Sequence, residues 1–408
     1  MLKKLIQQAK DPLYKNSFFI MLSSITNAGF GFFFWMIAAR LYSAEDVGIA
    51  TALLSSLNLI ILFSRLGFDF SIIRFFPKGN KSRILSTSIV ISTSFAILFG
   101  ILFIAFVDVF FSKLHPLRNL MFSAVFLMTA AVSSVTSLTA QSFIALRRGE
   151  LYFLQNLAAG SRILFLFFLT FLGSAGIFGS VSFAFLFVLI LALLLIGRTA
   201  GLSLSVDADY VRESFRFSTG NYFASLFSIA PNQILPIMVL NLLGAEKAAY
   251  YYVAFAIAGL IFLIPGSMSA SLFVEGSHGE SLRKNVLKSL AAIAVLLTPA
   301  VIFICLFGDF ILHLFGKDYV QAFELLRLFA LSSFFFAVVS VYLAVKRVQM
   351  DVRRIILLNG LNCVALLTLS YLLIPKFDIL GAGYARIATY FISSLVVGCL
   401  VVKKERWI

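Results

Sequence analysis

Charge is what this 408-residue sequence has least of: only 12% of it is Asp, Glu, Lys or Arg, about half the roughly 25% of a soluble globular chain. Water is thereby excluded as the main solvent of the folded surface. Cysteine is almost missing too. Its three residues, Cys305, Cys363 and Cys399, all fall within apolar runs, so neither a disulfide framework nor a CxxC metal site is available, and they read as small core hydrophobes. The three histidines, His115, His278 and His313, are scattered through expected loops and form no metal site. GxxxxGK[ST], HExxH and GxSxG are all absent. The nearest approach to a phosphate loop, PKGNKS from Pro77, lacks the spacing and reads as a basic turn. No expected loop exceeds roughly 20 residues, so no soluble domain is left to hold a catalytic site. Neither an enzymatic activity nor a cofactor is expected.

What is present is hydrocarbon: 61% hydrophobic residues and a mean hydropathy of +1.01. Apolar runs of about 18 or more residues recur along the chain, each long enough to cross a core of about 30 Å as a helix. They lack the alternation of a membrane β-barrel strand. The runs place spans near 17–40, 46–67, 84–107, 119–143, 151–172, 177–197, 217–240, 248–270, 289–307, 321–344, 355–374 and 380–401. The fold class is therefore all-α: a polytopic membrane protein of about twelve helices. The first segment is too long for a signal peptide, shows no small-residue cleavage site, and is expected to be retained.

The net charge of +15 would suggest nucleic acid in a soluble protein, yet its placement points to membrane topology instead. With the N-terminus cytoplasmic, about 23 basic residues, from Lys3 and Lys4 to Arg406, fall on the inner side, against about six outside, such as Arg40, Lys113 and Lys376. The positive-inside rule then sets both termini in the cytoplasm. No nucleic acid partner is expected.

Comparison of positions about 200 apart shows a repeat. RLYSAEDVGIA from Arg40 sits over NLLGAEKAAYY from Asn241, IALRRG from Ile144 over LAVKRV from Leu343, and IFGS from Ile177 over ILGA from Ile379. The halves are therefore 1–205 and 206–408, each a six-helix bundle. An even number of spans per half gives both the same orientation, with a pseudo-two-fold axis along the membrane normal and a cleft between them as the natural substrate path.

Four arginines lie within spans, where the cost near the centre is about 2.5–3.5 kcal/mol. Arg65 and Arg327 are near span ends and can snorkel, and Arg327 has Glu324 one turn back. Arg162, about halfway along the fifth span, and Arg386, two turns into the twelfth, have no acidic residue within a turn. They suggest a wet cavity whose positive charge awaits an anion. Polar stripes at helical spacing support it: Thr51, Ser55, Asn58, Arg65 and Asp69 along the second span and just past its end, and Asn221, Ser225, Ser228 and Asn232 along the seventh, where Pro231 and Pro236 should loosen the helix. Asn27 joins them from the first span, Gln155 from the fifth, Asn359 and Asn362 from the eleventh. Ser133, Ser134, Ser137 and Gln141 of the fourth read instead as a tight packing face. Tyr250, Tyr251 and Tyr252 read first as an interfacial aromatic belt and only second as sugar-stacking groups.

Two stretches, ARLYSAEDVGIATALLSSLNLIILFSRLGFDFSIIRFFP from Ala39 and LFGDFILHLFGKDYVQAFELLRLFA from Leu306, resemble the polysaccharide biosynthesis (O-antigen and exopolysaccharide) flippases of the multidrug/oligosaccharidyl-lipid/polysaccharide exporter superfamily. The likeness extends over the whole chain in span number, length and repeat. It implies two six-helix bundles that alternate access in the cell membrane, carrying a polyprenyl-diphosphate-linked oligosaccharide from the cytoplasmic to the outer leaflet, with membrane lipids and other glycan-assembly proteins as partners. Arg162, Arg386 and Arg65 then become expected diphosphate ligands, and Asn27, Asn58, Asn221 and Asn232 expected sugar contacts or path-lining groups. Asp69, Asp108 and Glu324 are the carboxylates to inspect for coupling. The alternatives are a drug exporter of the same superfamily, which should show buried acids for cationic cargo, and a lipid II flippase, which usually carries two further helices. A membrane glycosyltransferase should carry a large outer loop or clustered acids, and the sequence has neither.

Overall fold

A chain segment surrounded by hydrocarbon has no water to satisfy its N–H and C=O groups, so each apolar run closes its own hydrogen bonds as a helix. The computed structural model describes residues 12–77, 79–111, 113–199, 201, 206–277 and 281–404. Lys3, Lys4, Lys10, Lys78, His278, Arg406 and residues 202–205, next to the expected boundary between halves, lie outside the described residues. Twelve of the described helical segments, the fifth of them broken near its middle, are long and apolar enough to span a membrane, and no strand occurs among the described residues.

The helices are α1 (Pro12–Leu41), α2 (Ala44–Ser64), α3 (Phe68–Phe75), α4 (Lys81–Ala105), α5 (Leu120–Ala145), α6 (Gly149–Ala159), α7 (Arg162–Phe168) and α8 (Ser174–Thr199). They continue as α9 (Ala208–Leu243), α10 (Ala245–Ser277), α11 (Leu282–Phe315), α12 (Phe323–Val348), α13 (Val352–Phe377) and α14 (Leu380–Lys404). Each expected span has its helix. The fifth span is split: α6 and α7 meet at Gly160 and Ser161, where i→i+3 hydrogen bonds replace the α-helical pattern. The expected loosening at Pro231 and Pro236 is not seen, because α9 runs unbroken through both for 36 residues. A proline still withholds one N–H, which leaves the carbonyls of Phe227 and Asn232, four residues earlier, without their helical donors.

The chain divides into two compact units, Met1–Asp46 with Leu53–Tyr222, and Val47–Ala52 with Phe223–Ile408. Helix α9 carries the chain from the first into the second, passing the boundary between Tyr222 and Phe223. Within each unit the contacts are those of membrane interiors, where lipid tails remove the hydrophobic drive and close approach of small residues takes its place. Thr129 of α5 donates to Ser182 of α8 at 2.8 Å, and Ser269 of α10 donates to Ser340 of α12 at 3.0 Å. Ser133 and Ser134 are buried, in agreement with a packing face on the fourth span.

Local geometry repeats between the halves. After α5 the chain turns at Arg147 (φ 57°), with Arg148 N–H bonded to Phe143 O at 2.9 Å. After α12 it turns at Met350 (φ 55°), with Asp351 N–H bonded to Lys346 O at 2.9 Å. Both are Schellman-type endings, 203 positions apart. A second pair ties the start of a span to the turn four spans later. Asp46 Oδ1 accepts from Ser174 N–H at 2.7 Å in the first half, and Lys247 Nζ meets Asp378 Oδ2 at 2.6 Å in the second. The link is kept while its chemistry changes.

Tyr250 and Tyr251 differ from the belt reading. They are 1% and 0% exposed, packed edge-on against Tyr319 and Phe329 respectively. Helical packing, rather than distance from a span end, decides their surroundings. Of the cysteines only Cys363 is buried, while Cys399 is exposed.

Candidate functional site

The seven residues expected to meet substrate fall into separate clusters. In the first unit, Asn27 Nδ2 donates to Asn156 Oδ1 at 2.7 Å, and Asn156 Nδ2 donates to Tyr152 O at 2.9 Å. The Asn27 amide therefore bridges α1 to α6. Asn156 escaped the sequence reading because its neighbour Gln155 fitted the helical stripe better; Gln155 is buried and donates to Thr136 O at 2.7 Å, so it serves packing against α5. Replacement of Asn27 by leucine should cost ~1 kcal/mol, the scale of interhelical side-chain hydrogen bonds in membranes. The double variant Asn27→Leu/Asn156→Leu should recover part of that loss in thermal unfolding. Additive losses would show that the two amides do not act as a pair.

Arg162 opens α7 directly after the break. Its guanidinium lies over the Phe34 ring at 5.2 Å, and a side chain at neighbouring Gly160 would meet Phe30 at 2.3 Å. The split in the fifth span thus seats α1 against the break and brings a cation to an aromatic face at membrane depth. Asn58 is exposed and Asn221 half-buried, whereas Thr51 and Ser55 of the same second-span stripe are buried. Thr51 donates to Gly48 O at 2.8 Å.

Arg65 caps α2. Its Nε is buried without a hydrogen-bond partner, and its charge acts on Asp69, whose Oδ1 is likewise buried and without a partner. Burial lifts the Asp69 carboxyl above the ordinary aspartate range, while Arg65 and the N–H groups of Phe70 and Asp69 pull it down. The other two carboxylates marked for coupling sit in exposed ion pairs, Asp108 with Arg118 at 2.7 Å and Glu324 with Arg327 at 2.9 Å.

In the second unit, Arg386 is 4% exposed and enclosed by four rings. Its guanidinium carbon lies 4.6 Å from the Phe262 centroid, 5.4 Å from Phe255, 5.5 Å from Phe329 and 5.7 Å from Tyr390. Nε and Nη1 have no hydrogen-bond partner. Aromatic faces hold the cation electrostatically but leave these two nitrogens unused.

Tyr390 also borders a cavity of about 160 Å³ between α9, α10, α12, α13 and α14. Asn232 and Ser228 from α9, Asn359 and Asn362 from α13, and Arg347 from α12 line it. Phe227 and Asn232, whose carbonyls the prolines release, line it as well. Asn359 Nδ2 donates to Ala224 O at 3.0 Å, and Ser393 donates to Asn362 Oδ1. Among the described residues no carboxylate lines the cavity. The sequence stripes point to its asparagines; in the sequence Arg347 is one basic residue among several near the end of α12, with no other signal. A hollow of about 540 Å³ in the first unit is apolar, edged by Met121, Phe122 and Phe183, as a lipid face should be.

Comparison with known proteins bears on the family and the fold. A family described as "Polysaccharide biosynthesis protein" matches residues 13–273. A protein of Shigella flexneri, provisionally named as an O-antigen transporter, is 25% identical over 203 residues, covering 45% of this chain and 49% of that one. The match thus spans about half the length of that relative. Among solved structures, the lipid II flippase MurJ in an inward closed conformation superposes with a TM-score of 0.75 at 14% identity, covering 94% of this chain and 87% of MurJ. The MATE multidrug transporter DinF-BH gives 0.69 at 11% identity, covering 98% and 96%. An inward-facing MATE transporter of the MOP superfamily gives 0.68 at 13%, covering 93% and 96%. At these identities the structural likeness concerns the fold.

Proposed function

This chain belongs to the polysaccharide biosynthesis protein family, and from that premise we propose that it is a flippase. Its cargo is an oligosaccharide on a polyprenyl diphosphate, carried from the cytoplasmic to the outer leaflet of the cell membrane by alternating access of halves 1–205 and 206–408. Both termini are cytoplasmic in this reading. The observation that carries it is the sign of the charge buried in the second unit. Arg386 is sealed at 4% exposure with two nitrogens unused, while Glu246, Asp309 and Glu324 of the spanning helices are exposed. Cationic drugs require the reverse arrangement. A diphosphate is the kind of anion that guanidinium groups recognise, and amides that both donate and accept, such as Asn232 and Asn362, suit hydroxyl-rich sugars. Arg162, Arg386 and Arg65 serve the diphosphate, Asn58, Asn221 and Asn232 the sugars or the path, and Asn27, held by Asn156, lines the path.

Deletion of the gene should leave lipid-linked glycan accumulating on the inner leaflet, and the wild-type protein should restore export. Arg162→Ala and Arg386→Ala variants, present at wild-type level, should each fail to restore it. Full export by both variants would remove the arginines from the cargo path. Unchanged glycan distribution after deletion would defeat the flippase reading itself.

A further inference from the structure

The joint between α2 and α3 is held in a conformation that costs energy. Leu66 has φ 47° and Gly67 φ 85°, consecutive left-handed residues, and the first of them is a non-glycine. What maintains it is α9. A Cβ at Gly67 would lie 2.6 Å from Ser218 Cβ and 3.3 Å from Tyr222 Cβ, so this glycine is required by both its φ and its contact. Tyr222 donates to Phe63 O at 3.1 Å, and Ser71 shares a hydrogen bond with Ser218. All of these lie in the first unit, and Ser218 and Tyr222 are on the turns of α9 just before the chain enters the second.

Into this joint the chain puts Asp69 and Arg65, each with a buried atom that makes no hydrogen bond. Among the described residues no ion pair within 4 Å joins them, although only four positions of the chain separate them. The ionisable group acting on Asp69 is Arg65 at the end of α2, and Asp69 in turn acts on Tyr222 of α9. Arg74, further along α3, stacks on Phe217 at 4.5 Å. From α4 and α5 the neighbours of α3 are the apolar Ile84, Leu85, Leu138 and Phe143, and α9 adds Tyr210, whose hydroxyl is held by Ser88 at 3.0 Å. A neutral carboxyl tolerates such surroundings; a carboxylate demands a further donor for Oδ1, beyond the N–H groups of Phe70 and Asp69.

We infer that Asp69 is a proton-binding site that sets the grip of the α2–α3 joint on helix α9. With a proton taken up from water, the carboxyl stays buried and the joint holds Ser218 and Tyr222. With the proton returned to water, the carboxylate draws the Arg65 guanidinium to itself, and the joint lets go of the helix that leads from one unit into the other. Protonation thereby controls how freely α9 moves. The place of this latch in transport rests on the proposed flippase reading; the proton site does not.

The sign follows from burial. A carboxyl whose folded pKa lies above its unfolded value binds the proton more tightly when folded. Its stabilisation is complete below the unfolded value and is lost as pH rises through the folded one.

The test uses the purified full-length protein in liposomes, as wild type, Asp69→Asn and Asp69→Glu. Infrared difference spectra should show a protonated-carboxyl band that titrates above the ordinary aspartate value of about 3.9, disappears in Asp69→Asn and survives, shifted, in Asp69→Glu. The thermal midpoint of wild type should fall relative to Asp69→Asn as pH rises through that titration. Absence of such a band, or parallel thermal profiles, overturns the proton site. In inverted vesicles, flipping of a fluorescent polyprenyl-diphosphate-linked sugar by wild type should respond to pH on the cytoplasmic side, and Asp69→Asn should lose that response. An Asp69→Asn protein that keeps the wild-type pH response overturns the latch. If wild type moves no such lipid, the flippase reading fails, and the infrared band still decides the proton site.

Discussion

Valine at position 48 should remove the folded protein from the membrane, and alanine alone should be enough to destabilise it severely. Gly48 lies in the second turn of α2, and a Cβ there would stand 1.7 Å from the carbonyl oxygen of Ala245, 2.5 Å from its carbon and 3.0 Å from its Cα. All three are backbone atoms at the start of α10, so no side-chain rotation relieves the clash. The helices would have to separate, although Val47–Ala52 belong to the same compact unit as α10. Overpacking usually costs about 1–3 kcal/mol; a backbone clash this close belongs at or beyond the upper end. The expected readout is loss of the monodisperse peak in detergent and a sharply lower protein level. Gly29→Ala and Gly31→Ala are the controls, because nothing lies within 4 Å of a Cβ at either site. There alanine should be neutral or should stabilise by up to ~1 kcal/mol through helix propensity. A Gly48→Ala protein that melts like wild type would contradict the close α2–α10 contact.

Arg386 should separate folding from transport. Truncation to alanine opens a hole among Phe255, Phe262, Phe329 and Tyr390 and should cost ~2–5 kcal/mol, as large-to-small core changes do. Methionine fills much of the same volume and favours aromatic edges. It loses a desolvated cation–π attraction of ~2 kcal/mol but also removes a buried cation whose Nε and Nη1 lack hydrogen bonds, and such exchanges are often neutral or better. Arg386→Met should therefore fold with a thermal midpoint near that of wild type and still export no glycan. If Arg386→Met restores export in full, the cation serves only the packing of the second unit, and its assignment to the diphosphate is wrong.

Asn27 was readable as an amide in hydrocarbon that needs a partner, but nothing local named Asn156, 129 positions away. Asp69 looked like one of three end-of-span carboxylates. Only packing against α9 distinguishes it from Asp108 and Glu324, whose arginines are within reach of water. The tyrosines at 250 and 251 misled because a position near a span end fits both a lipid boundary and a helix contact, and hydropathy does not separate the two. Gly48 and Gly67 had no visible signature beyond being glycines, since the atom each must avoid lies on a distant helix.

By itself the sequence determined that the protein is helical, that it crosses the membrane about twelve times and that its halves repeat. These follow from local rules: a backbone in hydrocarbon must satisfy itself, and the length of an apolar run sets a span. Tertiary structure decided which polar groups are spent on each other and which are left over. In the first unit Asn27 is consumed by Asn156, and the Asp69 and Arg65 atoms at the α2–α3 joint are not. In the second, four rings close around Arg386 while Asn232, Asn359 and Asn362 gather with Arg347 around one cavity. Those outcomes depend on contacts between segments far apart in the chain, where a shift of one helical turn exchanges a satisfied amide for a free one.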